Sequence, residues 1–152
     1  ACFPDATVAI THRDPVAVIQ SAVTMQAYSS RMQRTQIDNR WLIDYWADRV
    51  EHLLRGCMND RHAWPDAQSI DVPFHEFMAD DVAMVARIMD KADMPLTDRA
   101  RGEIDAHMAA HQRGKEGRLI YNLKRDFGVD PDALRERFQF YFDAFPVRAE
   151  RA

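Results

Sequence analysis

Cysteine is almost absent from this 152-residue chain, with Cys2 and Cys57 as its whole complement. Two are too few for a disulfide scaffold or a zinc site, which leaves a reduced, cytoplasmic setting as the default expectation. No apolar run approaches the roughly 20 residues that a membrane-spanning helix needs, and no secretory signal is visible. A cationic surplus is missing too. Lys and Arg number 20 against 24 Asp and Glu, a formal net charge of -4. That argues against non-specific nucleic-acid binding, because there is no overall positive surface to release counterions from phosphates. Internal repeats and low-complexity tracts are also absent. Finally, Ala1 stands where an initiator Met would, only a few residues ahead of a strand-like run. The expectation is entry into the middle of a fold, so that residues 1-152 form one domain's worth of chain belonging to a larger domain.

What is present reads as an ordinary globular composition, 47% hydrophobic and 29% charged, long enough to bury a core. Thr7 to His12 is a β-forming run. Asp14-Pro15 then starts a helix: the carboxylate can accept from the unpaired N–H groups of the first turn, and proline at the first helical position loses no hydrogen bond. Val16, Ile19, Val23 and Ala27 make a helical stripe to about Tyr28. Ser29 to Ile37 reads as a basic loop or frayed helix end. Asp38 or Asn39 caps the longest helix, about Arg40 to Met58, with Leu42, Tyr45, Trp46, Val50, Leu53, Leu54 and Cys57 inward. Ile70, Val72 and Phe74 alternate as a second strand would. Asp80-Asp81 caps a helix, Thr97 caps another to His111, and Asp130-Pro131 repeats the first capping device. A single amphipathic helix carrying Leu134, Phe138, Tyr141, Phe142 and Phe145 is expected to follow, with a frayed tail from Arg148. Two strands this far apart do not make an independently stable sheet, so either they pack as isolated extended segments under helices or, the favoured expectation, further strands lie outside this sequence.

Two stretches could hold an anion. Arg13 falls at the carboxyl end of the first strand with Ser21 two helical turns on, and ligands of open α/β sheets bind outside the strands' carboxyl ends. A guanidinium fork and a hydroxyl there suit a phosphate. The second is His111-Gln-Arg-Gly-Lys-Glu-Gly-Arg118, whose glycines let the backbone approach a ligand while Arg113, Lys115 and Arg118 surround it with cations. Either stretch could equally be solvated surface. Glu103, His107 and His111 recur every fourth residue, a chelating spacing, but with no further ligand in view a solvent-facing or half-buried pair is the better reading and no metal is expected. His12 is either a second phosphate donor or a polar residue closing the strand.

The pairing of Arg13 with Ser21, eight residues apart, resembles the 3′-phosphate-binding segment of sulfotransferases that use 3′-phosphoadenosine 5′-phosphosulfate (PAPS), and Thr11-His-Arg-Asp-Pro15 looks most like their bacterial branch. Arg113-Gly114-Lys115 is similar to the family's basic loop on the same phosphate. Gly117, Tyr121, Leu123 and Asp126-Phe-Gly128 look like its closing pattern, and Phe74 to Asp81 matches another segment loosely. The resemblance implies an α/β, P-loop-kinase-like three-layer fold, of which this chain is the mostly helical carboxyl-terminal part with two short strands. It implies transfer of a sulfuryl group from PAPS to a hydroxyl or amine on a small-molecule, lipid or glycan acceptor, without nucleic acid or a transmembrane segment and compatibly with a homo-oligomer. Arg13, Ser21, Arg113, Gly114 and Lys115 would bind the donor. The Gly/Ser/Thr-rich loop with its Lys that the family uses for the 5′-phosphosulfate does not occur here, and the catalytic base is unassigned, so this chain alone is expected to be inactive. The contrasting reading is a non-catalytic helical binding or assembly module whose basic loops meet an acidic partner.

Overall fold

The computed structural model describes residues 3–111, 117 and 121–151. They gather into two compact units, one holding the described residues of 1–12 and 62–119 and the other those of 13–61 and 120–152.

In the first unit, strand β1 (Val8–His12) pairs in parallel with β2 (Ser69–Pro73), in a register that sets Val8 opposite Ser69 and His12 opposite Pro73. The described residues therefore form a two-stranded sheet, its partners being the two strands expected from the sequence, except that Phe74, expected in the second, opens the helix that follows it. Helix α3 (Phe74–Ala79) follows β2 directly, because Pro73 ends the ladder by having no N–H to donate. Asp80 then caps α4 (Asp81–Lys91) by accepting from Ala83 N at 2.9 Å, and Thr97 caps α5 (Asp98–Ala110) through Ala100 N. Val72 of β2 and Met84 of α4 are buried in this unit.

The second unit is helical. Helix α1 (Pro15–Arg31) packs on α2 (Asn39–Asn59), which Asp38 caps through Trp41 N. The stripe of α1 is the one that periodicity selects: Val16, Ile19, Val23 and Ala27 are all at most 2% exposed. Burying an aliphatic side chain to that degree is worth about 1.5–3 kcal/mol, which holds α1 in place far more firmly than helix propensity could. Leu123 of α6 (Leu123–Phe127) and Phe138 join the same core. Gly128, at φ 70, closes α6 in the left-handed conformation, with Gly128 N and Val129 N returning to the carbonyls of Lys124 and Leu123.

Three expectations are corrected here. The buried face of α2 is Leu42, Ile43, Ala47 and Val50, whereas Tyr45 and Leu53 are exposed. This helix carries apolar residues around most of its girth, so the period alone admits several faces, and Ala47 gives the small contact that close packing on α1 favours. The final helix is broken into α7 (Pro131–Glu136) and α8 (Gln139–Ala144). The break seats Phe138 in the core at 0% exposure. On its two sides Arg135 reaches Asp14, and Arg137 reaches Asp48 and Glu51 of α2. The tail is not simply frayed, since Glu150 is bonded to Arg13 and Asp14.

Candidate anion-binding site

At the turn from β1 into α1, two neighbouring side chains differ sharply in exposure. His12 turns inward, 1% exposed, and its Nε2 lies 3.0 Å from Asp71 Oδ1. The ring is thereby part of the packing of the first unit, and the structural reading of His12 prevails over the phosphate-donor reading. Arg13 turns outward, its side chain 41% exposed.

Asp14 is the fixed point beside it. Its side chain is fully buried, yet every direction in which the carboxylate points is answered. Oδ1 accepts from Val16 N at 2.9 Å, the helix cap expected from the sequence. Oδ2 accepts from Arg135 Nε and Nη2 at 3.2 and 3.0 Å, and from the backbone N–H of Glu150 at 2.9 Å. A carboxylate stripped of water survives only with such partners. The cap is therefore also the anchor for α7 and for the tail.

Arg13 uses that anchor. Its Nε and Nη2 donate to the two carboxylate oxygens of Glu150 at 2.7 and 2.8 Å, a two-pronged contact between planar groups. The hydrogen bond to Glu150 raises the Arg13 pKa most, burial opposes it, and the charges of Glu150, Asp14 and Tyr121 add to it. Arg13 is thus a permanently charged fork that already holds an anion edge-on.

Ser21 lies two turns along α1, half-buried, at a spacing that gives it the same helix face as Val18, Met25 and Tyr28, all exposed. Arg113, Gly114 and Lys115 lie outside the described residues, so Arg13 and Ser21 are the donor-binding candidates that the structure places. Arg135 and Glu150 were missed by sequence reasoning, and no signal near either residue could have announced a partner more than a hundred positions away. His107 and His111 stack on one another at 4.1 Å, with His111 Nδ1 at 3.0 Å from the His107 carbonyl. Among the described residues no cluster of three or more His, Cys, Asp or Glu could hold a metal ion.

The same unit carries a pocket of about 390 Å³ lined by Gln26, Ser30, Arg34, Trp41, Tyr45 and Trp46 among others, with the rings of Trp41 and Tyr45 stacked at 5.2 Å. No helix among the described residues is long and apolar enough to cross a membrane.

Comparison with known proteins gives this geometry a family. The crystal structure of sulfotransferase STF9 from Mycobacterium avium superposes with a TM-score of 0.82 at 22% identity, covering 98% of this chain. The likeness is one of fold. The chain spans 38% of the length of that protein. No curated protein matches. A sequence model of the sulfotransferase family matches residues 1–98, a stretch that takes in Arg13, Asp14 and Ser21 and stops short of the basic loop at Arg113. With nearly two thirds of its length inside that match, the chain belongs to the sulfotransferase family.

Proposed function

We propose that this chain supplies the 3′-phosphate-binding part of a PAPS-dependent sulfotransferase and forms the carboxyl-terminal half of its P-loop-kinase-like domain. The observation that carries the reading is the Arg13 fork, which stands at the carboxyl end of β1 and takes an anion's two oxygens at hydrogen-bond distance. A phosphate monoester offers the same two-oxygen edge with more charge. Ser21 would add a hydroxyl from α1, and by the family resemblance Arg113, Gly114 and Lys115 would contribute further donors to the same phosphate.

PAPS would supply the sulfuryl group, already activated on the 5′-phosphate. The residues of this chain would bind and orient the donor through its other phosphate and so distinguish it from ATP-like nucleotides. Sulfuryl transfer to a hydroxyl or amine resembles phosphoryl transfer, in which positioning and cationic stabilisation of spreading negative charge dominate. The base and the 5′-phosphosulfate loop would come from other parts of the domain, and so would most of the acceptor pocket.

The test is a calorimetric titration of the full-length protein with adenosine 3′,5′-bisphosphate and with AMP. The bisphosphate should bind more tightly, and Arg13→Ala should remove about 1.5–3 kcal/mol of that affinity, the scale of hydrogen bonds to a charged group. Equal affinity for both nucleotides, or an unchanged affinity in Arg13→Ala, would leave only the binding-module reading.

A further inference from the structure

We infer that Glu150 is a built-in competitor for the donor's 3′-phosphate, a carboxylate on the tail that holds the Arg13 fork closed until a 3′-phosphorylated nucleotide displaces it. The inference rests on the reading of Arg13 given above and adds the regulation of that same site.

The geometry is that of a ligand mimic. Glu150 offers two oxygens to Arg13 Nε and Nη2 at 2.7 and 2.8 Å, the edge-on approach that a phosphate would take. Those two N–H groups cannot serve both anions at once. Nor has Glu150 merely drifted to this place, because its backbone N–H donates to Asp14 Oδ2 at 2.9 Å, and Asp14 is fully buried and pinned by Val16 N and Arg135. The main chain is registered on a rigid carboxylate, which delivers the side chain to the adjacent arginine.

The hold is also light enough to yield. Both partners of the ion pair are more than a third exposed, Arg13 at 41% and Glu150 at 36%, so water and salt screen their attraction. The residues around Glu150 form no helix or strand, and the neighbouring Arg151 only approaches Asp132, at 3.9 Å. A phosphate with up to two negative charges outcompetes one carboxylate for the same fork, whereas a nucleotide without a 3′-phosphate has nothing to put there. Glu150 would thus lower affinity for every 3′-phosphorylated ligand by the fraction of molecules in which the fork is closed, and 3′-phosphate binding would release the tail.

The experiment compares full-length wild type, Glu150→Gln, Glu150→Ala and Arg13→Ala by titration with adenosine 3′,5′-bisphosphate and with AMP. Both Glu150 variants keep the backbone bond to Asp14. They should bind the bisphosphate about two- to fivefold more tightly, the range expected on removing a screened two-pronged ion pair from the closed state, with AMP affinity unchanged. If Arg13→Ala weakens binding but the Glu150 variants bind the bisphosphate no better than wild type, Glu150 steadies Arg13 and the competition is overturned while the phosphate site stands. A parallel gain for AMP would overturn it as well, since the effect would not pass through the 3′-phosphate. If Arg13→Ala leaves bisphosphate affinity unchanged, the phosphate site itself fails and the inference fails with it.

Discussion

Asp14-Pro15 and Asp130-Pro131 are the same dipeptide doing the same local work in one unit of the molecule. Each aspartate accepts from the N–H two residues on at 2.9 Å, and each proline opens a helix. Their surroundings differ completely. Asp130 is exposed, and the helix it starts runs only from Pro131 to Glu136. Asp14 is fully buried, starts a helix from Pro15 to Arg31, and also holds Arg135 and the tail. The second device even serves the first, because α7 is the element that carries Arg135 to Asp14. A local motif therefore says where a helix begins, and says nothing about what the capping side chain will be asked to neutralise.

Removing Asp14 should break this comparison most severely. Asp14→Ala strips the cap and leaves the Arg135 guanidinium, 12% exposed, with Asp132 as its remaining partner. A loss of about 3–5 kcal/mol is expected, read from denaturant unfolding. A cost below about 1 kcal/mol would mean that the buried pair is no better than a surface cap. Asp130→Ala should cost about 1 kcal/mol, the ordinary worth of a cap. If the two variants unfold at the same denaturant concentration, burial adds nothing and the contrast collapses.

The smallest effect concerns Arg137, two residues beyond Arg135 and tied to the exposed Asp48 and the half-buried Glu51 rather than to a fully buried acid. Its hydrogen bond, and then that of Arg55, hold the Glu51 carboxyl below the usual value of 4.5. A depressed pKa in the folded state means that the stabilisation is complete above 4.5 and drains away as the pH falls below it. Wild type should therefore lose slightly more stability than Glu51→Gln on acidification from about pH 5 to about pH 3. Parallel acid slopes in thermal melts of the two proteins would remove Glu51 from the account.

Much of the framework was legible because it is settled within a few residues. The caps at Asp14, Asp38, Asp80, Thr97 and Asp130 bond to N–H groups two or three positions away, so side-chain chemistry and spacing suffice to place them. The stripe of α1 was legible because its apolar residues allow one face. The face of α2 was not, since Tyr45 and Leu53 compete with Ile43 and Ala47, and only the neighbouring helix chooses among them. Of the candidate site, Arg13 at the strand end and Ser21 on the helix were readable from position. The basic loop from Arg113 to Lys115 remains an expectation from the sequence.

What the sequence alone determined, then, is local: a strand ending at His12, a helix starting at Pro15, and a guanidinium at the junction. The tertiary structure decided which carboxylate would be buried and which anion Arg13 would hold. Glu150 meets Arg13 across 137 positions of chain, and no periodicity or capping rule spans such a distance. The pairing exists because Asp14, once buried, must find donors, and the folded chain brings it Arg135 and the backbone of the tail.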